Sequence, residues 1–441
     1  MKLFPLSGTV KHYAWGSPEW IPALTGRPNP AGEPWAELWM GVHGEGPSTT
    51  VLDGKTLKLG ELIASDPAAC LGEKTAGEFG NLPFLLKFLA AASPLSIQAH
   101  PSAEQARSGW ERENRAGIDP ASPRRNYRDP NHKPEIICAL SPFTAMAGFR
   151  APGETAALLS AFFAEAGLAA ETTGNVLLNA LEGGYRNFLD ALFGLDEYGR
   201  EIITGAALRA SFAAVKTNTA APGSKKKAGV GREAELCRLF AERYPGDPAL
   251  LAPLYLNVLT LEPWEAIFIP AGMPHAYVHG FGVECMANSD NVLRGGLSPK
   301  HIDLQELFAV LDFEPRAPRI LPRIEGQTAQ TGTDGWERYA APCREFTLYR
   351  LEHEGGKPGN MPAVLPATGA AIAASVKGDA ALTLTSGNGT QVQTQTLTLH
   401  QGEAVFVPRR KAGESLAAAA VNAGDKTVLF AALAPDEDTR E

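Results

Sequence analysis

The clearest pattern of apolar and polar positions lies at Pro94–Pro101, Pro-Leu-Ser-Ile-Gln-Ala-His-Pro, where the two kinds of residue alternate. Because successive side chains of a strand point to opposite faces, the leucine, isoleucine and alanine form an apolar face, and Ser96, Gln98 and His100 share the other. Neighbours on one face lie about 6.6 Å apart along a strand, so the Gln98 amide and the His100 imidazole can bind one cation. A lone pair of this kind is more often an ordinary strand surface, so a metal site needs further donors.

The same patterns along the whole chain predict a mainly β protein with a helical insertion. Up to about residue 150, short apolar runs are separated by glycine and proline, which is typical of short strands. Between about 153 and 244 the apolar residues recur at helical spacing, and strand patterning returns at Leu254–Leu261. The stretch 217–231 predicts an exposed linker. The apolar run 82–92 fits either a strand or a helix, and its Lys87 needs a partner or a function.

An internal repeat indicates two copies of one β unit. The pattern Leu-x-x-x-Glu-Ala-x-Phe-x-Pro occupies Leu261–Pro270 and returns at Leu399–Pro408. Trp264 of the first copy stands where the second copy has Gly402. A glycine-proline turn and His275 follow the first copy, whereas two arginines and a lysine follow the second. We therefore predict that the C-terminal copy is a structural or lid-like partner without a metal ligand.

Two further segments supply candidate ligands. Lys133 and Glu135 precede an apolar strand and share one of its faces, where they could form either an ordinary ion pair or part of a site. His275 follows a strand and a turn, as an imidazole does at the mouth of a β-barrel. His279, four residues further along and on the same face, is an alternative, and a hydrogen-bonded core histidine is another.

Composition narrows the class of protein. The 441 residues, 44% hydrophobic and 20% charged, suggest a globular enzyme of about three domains. A net charge of −9 argues against nucleic-acid binding, and it requires lysine or arginine in any phosphate pocket. Without a signal peptide pattern or a long apolar run, the chain is predicted to be cytoplasmic, with no membrane partner. The five scattered cysteines indicate reduced, mostly buried thiols.

Four motifs together resemble the type I mannose-6-phosphate isomerases, from the Tyr13–Gly16 cluster to about Asp303. They are Ser96–Pro101, Asn131–Glu135, Pro274–Tyr277 and Glu284–Arg294. The resemblance implies a cupin-type jelly-roll fold with a helical insertion, and the repeat adds a second barrel. We therefore expect a first cupin domain formed by 1–152 and 249–330, an inserted helical domain at 153–248, and a C-terminal cupin-like domain at 331–441. The segment between His100 and Glu135 is longer than is common in the family, which could alter the rim of the pocket.

The resemblance also implies the site residues. Those matching the zinc ligands are Gln98, His100, Glu135 and His275, for one Zn²⁺ per chain, and Arg294 matches an essential arginine. The other matching positions at the active site are Glu37, Lys87, Lys133, Glu284 and Lys300. Glu284 is the candidate base, with Lys133 as a group that could share its work. Arg294 could stabilise oxyanion charge or bind phosphate, Lys300 and Ser96 could add phosphate contacts, and Lys87 and Glu37 are expected to contact substrate. The alternative to a functional role for Arg294 and Lys300 is that both are ordinary charged residues on the solvent-exposed surface.

The expected activity is a zinc-dependent interconversion of mannose 6-phosphate and fructose 6-phosphate through an enediol, feeding mannose and GDP-mannose metabolism, by a monomer. Two alternatives stay open. A cupin Fe(II) oxygenase would also use two histidines and a carboxylate, but a fourth protein ligand at Gln98 argues against open positions for O₂. A non-catalytic sugar-binding cupin would need neither a complete ligand set nor a base.

Overall fold

The computed structural model describes residues 2–168, 172–217, 231–321, 335–355, 362–365, 367–388, 391–411, 413–422 and 424–435. Most of the linker predicted at 217–231, and the domain boundary predicted between 330 and 331, lie outside these ranges.

The chain is mainly antiparallel β with a block of helices, which confirms the predicted fold class. The strands are β1 (Phe4–Leu6), β2 (Thr9–Lys11), β3 (Glu37–Gly41), β4 (Thr49–Leu52), β5 (Lys55–Lys58), β6 (Phe84–Ala91), β7 (Gln98–Ala99), β8 (Glu135–Ala139), β9 (Phe143–Phe149), β10 (Leu256–Leu261), β11 (Ala266–Ile269), β12 (His275–Ala287), β13 (Leu293–Arg294), β14 (Ile320–Leu321), β15 (Trp336–Tyr339), β16 (Thr347–Glu354), β17 (Ala363–Val364), β18 (Ala371–Lys377), β19 (Ala380–Asn388), β20 (Gln391–Leu399), β21 (Ala404–Val407), β22 (Ser415–Ala420) and β23 (Lys426–Leu433). The helices are α1 (Trp20–Thr25), α2 (Leu59–Ser65), α3 (Pro67–Leu71), α4 (Glu73–Phe79), α5 (Ala103–Arg115), α6 (Pro152–Glu165), α7 (Thr172–Glu182), α8 (Tyr185–Phe193), α9 (Glu197–Thr217), α10 (Gly231–Arg243), α11 (Ala252–Tyr255) and α12 (Leu304–Val310).

The first barrel is the 11-stranded sheet, in which β14, β11, β8, β12, β6, β3 and β2 are neighbours in that order, and β7, β9, β10 and β13 complete it. Its longest strand, β12, joins two halves, because its first residues pair with β7 and β9 and its later residues pair with β6 and β8. The register shifts between Tyr277 and His279. Just beyond, Gly280 has a φ of 142°, and a β-carbon there would lie 2.6 Å from the ring of Phe143. The bend in β12 therefore requires glycine.

The inserted helices α6–α10 follow β9 and precede β10, as the change of period predicts. They share a core with the strands of the first barrel, where the ring of Phe149 on β9 stacks on Tyr185 of α8 at 4.3 Å. The buried Arg150 adds an ion pair of 2.9 Å to Glu233 of α10. The insertion is therefore packed directly against the first barrel.

The C-terminal lobe, formed by the described residues from 335 onward, contains a six-stranded and a four-stranded sheet. The larger sheet has the order β1, β21, β18, β23, β16, β15, so the first strand of the chain completes it. Phe4 lies opposite Phe406 in this pairing. Phe84 and Phe88 of β6 also share one apolar core with Phe406 and Phe430 of the lobe. The lobe and the first barrel are therefore joined by apolar packing, while the expected division into four sequence segments stays a prediction.

The two copies of the repeated pattern form the same turn. In the first copy the Glu265 carboxylate accepts a hydrogen bond of 2.8 Å from the backbone N–H of Glu262, and in the second Glu403 accepts one of 3.0 Å from His400. Each glutamate N–H also donates back to the carbonyl three residues earlier, at 2.9 and 3.0 Å. The repeated glutamate therefore closes a turn in both copies, which is the physical reason for its place in the pattern.

The exchange of tryptophan for glycine in this turn has a structural explanation. Trp264 has a φ of 78° and Gly402 one of 83°, so both occupy the left-handed region. A β-carbon at Gly402 would lie 2.6 Å from the Cα atom of Thr25, so only glycine fits there. The ring of Trp264 has room and stacks on Phe430 of the C-terminal lobe at 6.4 Å. The guanidinium of Arg350 lies 4.9 Å above the same ring. These contacts offset a backbone conformation that is unfavourable for tryptophan.

His400 offers the first test of the repeat. Its ring is exposed and hydrogen-bonds to Asp379 at 2.8 Å, away from any cluster of metal-binding side chains found among the described residues. We expect His400→Ala to change neither the metal content, measured by elemental analysis of the purified protein, nor the turnover. Loss of a second equivalent of metal in this variant would show that the C-terminal copy holds a site of its own.

Candidate metal centre and active site

Three side chains predicted as ligands converge inside the first barrel. The Nε2 atoms of His100 and His275 lie 3.4 and 3.3 Å from Oε2 of Glu135. All three side chains are buried, with relative exposures of 0, 1 and 0% for His100, Glu135 and His275. Their ligand atoms lie within 4.8 Å of one another, and no other such group occurs in the described part of the chain. This geometry can place three donors on one ion.

Hydrogen bonds fix which nitrogen of each imidazole faces the centre. Nδ1 of His100 bonds to the carbonyl of Asn291 at 2.7 Å, and Nδ1 of His275 bonds to that of Met273 at 3.0 Å. Because a carbonyl only accepts, both Nδ1 atoms carry the proton and both Nε2 atoms present a lone pair. Burial lowers the pKa of His100 to about 4, which favours the neutral, metal-binding form.

The same centre contains polar atoms that the protein itself does not satisfy. Nε2 of His100 and Oε2 of Glu135 are buried and have no hydrogen-bond partner among the residues that the structure describes. Buried acceptors without a donor are rare because they lose hydration without compensation. Acceptors that face each other in this way fit a bound cation, so the residues present fit the metal that the sequence predicts.

Gln98 reaches the same point from β7. It lies opposite His275 in the strand pairing, and its amide nitrogen is 3.3 Å from Nε2 of His275. A half-turn of the amide exchanges its nitrogen and oxygen at the same place, so Oε1 can face the centre. Two imidazoles, a carboxylate and an amide oxygen form a mixed set that suits Zn²⁺ and also Fe²⁺, Mn²⁺ or Co²⁺.

His279, the alternative to His275, is excluded from this cluster by the bend in β12. Simple alternation puts both histidines on one face, but the register shift after Tyr277 breaks the alternation. His279 is exposed and packs edge-on against Trp20, with ring centroids 5.3 Å apart. The sequence pattern alone could not distinguish the two histidines.

Buried charged side chains surround the centre. Nζ of Lys133 lies 3.2 Å from Oε1 of Glu135; burial alone would raise the pKa of that carboxyl, but the charge of Lys133 keeps it well below its ordinary value. Lys87, which the sequence left without a partner, lies 2.7 Å from Glu284 and 3.4 Å from Glu37. Burial would lower the pKa of Lys87, but the two carboxylates raise it. Burial also raises the pKa of Glu284, against the effect of Lys87.

Arg294 lies directly across a strand pair from Gln98, in the pairing of β13 with β7. Directly opposed residues project to the same face, so the guanidinium and the metal-ligand face are neighbours. The pKa of Arg294 is lowered by partial burial and by the charge of Arg128, and that of Lys300 by partial burial, Arg294 and Arg128. None of these three cations has a carboxylate within ion-pair distance among the described residues. Ser96 lies half-buried two residues before Gln98. Arg128, Arg294 and Lys300 therefore form an electropositive group that an anion can approach.

Comparison with known proteins decides the family. Mannose-6-phosphate isomerase of Salmonella typhimurium is 38% identical over 407 residues, which cover 91% of this chain and 94% of the relative. That of Homo sapiens is 33% identical over 80% of this chain and 83% of the relative. Residues 3–152 match the family model described as phosphomannose isomerase type I, catalytic domain.

The chain belongs to the type I phosphomannose isomerase family.

Solved phosphomannose isomerase structures agree with the fold. A mannose 6-phosphate isomerase in the zinc-bound holo form is 32% identical and has a TM-score of 0.79, covering 98% of this chain and 100% of that one. A mutant of the Salmonella typhimurium phosphomannose isomerase has the same identity, TM-score and coverage. These findings confirm the resemblance and the prediction of an isomerase, and the predicted cofactor of one Zn²⁺ per chain agrees with them. No helix in the described ranges is long and apolar enough to span a membrane.

Sequence reasoning did not single out two residues that lie beside the predicted site residues. Tyr277 is buried, its ring lies 6.0 Å from that of His275, and its hydroxyl has no hydrogen-bond partner among the described residues. Burial and the charges of Glu284 and Glu135 raise its pKa. Its position two residues after His275 could have indicated it. Arg128 lies in a polar stretch without periodicity, where no local signal singles it out.

Arg128 is placed by a tertiary contact. Its backbone N–H donates to Oδ1 of Asn291 at 2.7 Å, and the Asn291 amide donates at 2.8 Å to the carbonyls of both Asp129 and Asn131. Asn291 is fully buried, three residues before Arg294. The charge of Arg128 in turn acts on Arg294 and Lys300.

Proposed function

We propose that this chain interconverts mannose 6-phosphate and fructose 6-phosphate by proton transfer through an enediol. The observation that carries the proposal is the pairing of Arg294 with Gln98, which sets a cationic group beside a buried set of metal donors. A sugar phosphate carries both an anionic group and vicinal oxygens, so it can use both halves of such a site. The expected metabolic role is to feed mannose and GDP-mannose metabolism, in a monomeric cytoplasmic protein.

The proposed zinc ligands are Gln98, His100, Glu135 and His275. Bound there, Zn²⁺ would supply Lewis-acid polarisation of the sugar oxygens. Lys133 contacts the other oxygen of Glu135 at 3.2 Å and fixes the orientation of that carboxylate. The backbone carbonyls of Asn291 and Met273 do the same for the two imidazoles. An iron oxygenase is less well supported, because Gln98 occupies a direction that O₂ would need.

The proposed phosphate-binding residues are Arg128, Arg294, Lys300 and Ser96. None of the three cations has a carboxylate within ion-pair distance in the described part of the chain, so together they would overcome the net charge of −9 locally, which a dianionic substrate needs. Arg294, nearest in register to Gln98, is also placed to stabilise oxyanion charge as it develops. The partial burial of Arg294 and Lys300 would strengthen charge-assisted hydrogen bonds from these two cations to a phosphate.

The proposed base is Glu284, with Lys133 as a group that shares the proton transfer. A carboxylate removes the proton from C2 of the aldose while O1 gains one, which gives the enediol. Loss of the O2 proton and return of a proton to C1 then gives the ketose. Nζ of Lys87 forms an ion pair of 2.7 Å with Glu284 and also contacts Glu37. Glu37 in turn accepts a hydrogen bond of 2.8 Å from the indole N–H of Trp39. Lys87 and Glu37, expected to contact substrate, thus also position the base.

Isotope transfer tests the route. During turnover in D₂O, we expect solvent deuterium at C2 of mannose 6-phosphate and at C1 of fructose 6-phosphate, measured by NMR, because a protein base exchanges its proton with solvent. A direct hydride shift would retain the substrate's own hydrogen.

Glu284→Gln should lower turnover strongly with zinc content unchanged. Complete retention over many turnovers, with normal activity of Glu284→Gln, would eliminate both the enediol route and this base.

A further inference from the structure

The C-terminal lobe reaches the active-site segment through one buried carboxylate. Glu345 lies in the connection between β15 and β16 and is only 4% exposed. Its Oε1 atom is 2.6 Å from Nε2 of His132, a residue of the first barrel. Neither side chain belongs to the predicted site residues, and the lobe itself holds no candidate metal cluster among its described residues.

His132 belongs to the segment that shapes the metal centre. The next residue, Lys133, contacts Glu135, and Glu135 begins β8. On the other side, the carbonyl of Asn131 accepts hydrogen bonds of 3.1 Å from Ser289 and 2.8 Å from Asn291. The first barrel therefore fixes the segment before His132, and the lobe fixes it at His132.

The Glu345 carboxylate depends on this contact. Its second oxygen, Oε2, is buried and has no hydrogen-bond partner in the described part of the chain, and Arg344 approaches Oε1 only to 3.6 Å. Burial would raise the pKa of Glu345, but the hydrogen bond and the charge of His132 lower it. A buried carboxylate with a single close partner adds little net stability, because desolvation offsets the attraction. An ordinary docking contact between the lobes would be better served by apolar residues.

We propose that Glu345 is a positioning residue of the active site, through which the C-terminal lobe sets His132 and thereby Lys133 and Glu135. The inference rests on the proposed function, because it concerns the efficiency of that site. The C-terminal lobe would then contribute to the reaction through Glu345, a residue that does not touch the substrate.

The experiment compares Glu345→Ala and Glu345→Gln with a matched control, Glu78→Gln. Glu78 of α4 pairs at 2.6 Å with Arg344, so this control makes the same chemical change in an ion pair from the same connection, away from His132. We expect Glu345→Ala to lower kcat about 10- to 100-fold, the range for residues that orient a ligand, with KM and zinc content nearly unchanged. Glu345→Gln keeps an acceptor oxygen and should retain more activity. The control should stay within about twofold of wild type, since it breaks only a partly exposed pair.

A second comparison separates positioning from stability. In a His132→Ala background, Glu345→Ala should lower kcat no further, because the two side chains act as one unit. The proposal is overturned if the double variant shows the product of the two single reductions in kcat, or if Glu78→Gln lowers kcat as much as Glu345→Ala does. It is also overturned if Glu345→Ala lowers only the thermal midpoint while kcat per zinc-loaded enzyme stays normal. Absence of turnover in the wild-type protein would instead overturn the proposed function.

Discussion

Replacing His275 with alanine should remove both the zinc and the activity. His275 is fully buried and supplies one of the donors around Oε2 of Glu135. Its loss should cost at least about 100-fold in turnover, the upper end for residues that merely support a ligand. Wild-type protein in zinc at about 100 times its Kd should gain about 2.7 kcal/mol of unfolding free energy, and the variant should gain none. Elemental analysis and denaturant titration with and without zinc measure both effects.

The matched control for this prediction is His279→Ala. It removes an exposed imidazole from the same strand, four residues further along, without touching the cluster. We expect its zinc content and turnover to equal those of the wild type. Full activity of His275→Ala, or of wild-type protein after verified metal removal, would show that the buried cluster does not bind the catalytic ion.

Replacing Arg294 with alanine should leave zinc in place and lower kcat about 100- to 1,000-fold, as expected when one preorganised donor to a developing oxyanion is lost. Arg294 makes no ion pair among the described residues, so the fold should not depend on it. Arg128→Ala is the companion variant. Lying at the rim, Arg128 should affect mainly KM for the sugar phosphate, because it binds a group that does not react.

Steady-state kinetics on zinc-loaded protein distinguish the two arginines. A rise in KM alone for Arg294→Ala would reduce its role to phosphate binding. Near-normal kcat and KM would show that Arg294 is an ordinary surface charge with no role in the reaction. Arg128→Ala without any change in KM would remove Arg128 from the phosphate-binding group.

The parts predictable from sequence were those with a local signal. Alternation at residues 94–101 predicted that Gln98 and His100 share a face, and the repeat predicted that Trp264 occupies a glycine position. The donor set converges because Gln98, Glu135 and His275 each begin a strand of one barrel and His100 directly follows β7. The run around Lys87 was ambiguous by pattern. Its strand identity is decided by pairing with β3 and β12, which a local pattern does not contain.

The remaining features depend on contacts between distant segments. The exclusion of His279 needs a register shift that only the neighbouring strands reveal. The backbone of Arg128 is held by Asn291, a residue far along the chain. Glu345 meets His132 only after the C-terminal lobe has packed on the first barrel. Side chains whose placement is decided by tertiary hydrogen bonds carry no periodic signal, so sequence reasoning could not single them out.

The pairing of β1 with β21 has a consequence for the order of synthesis. Phe406, the partner of Phe4, is made only after all the residues that lie between them. At about 5–20 residues per second, β1 waits on the order of tens of seconds for the strand that it pairs with. The six-stranded sheet therefore gains β1 as its edge strand only when two segments made far apart in time have met.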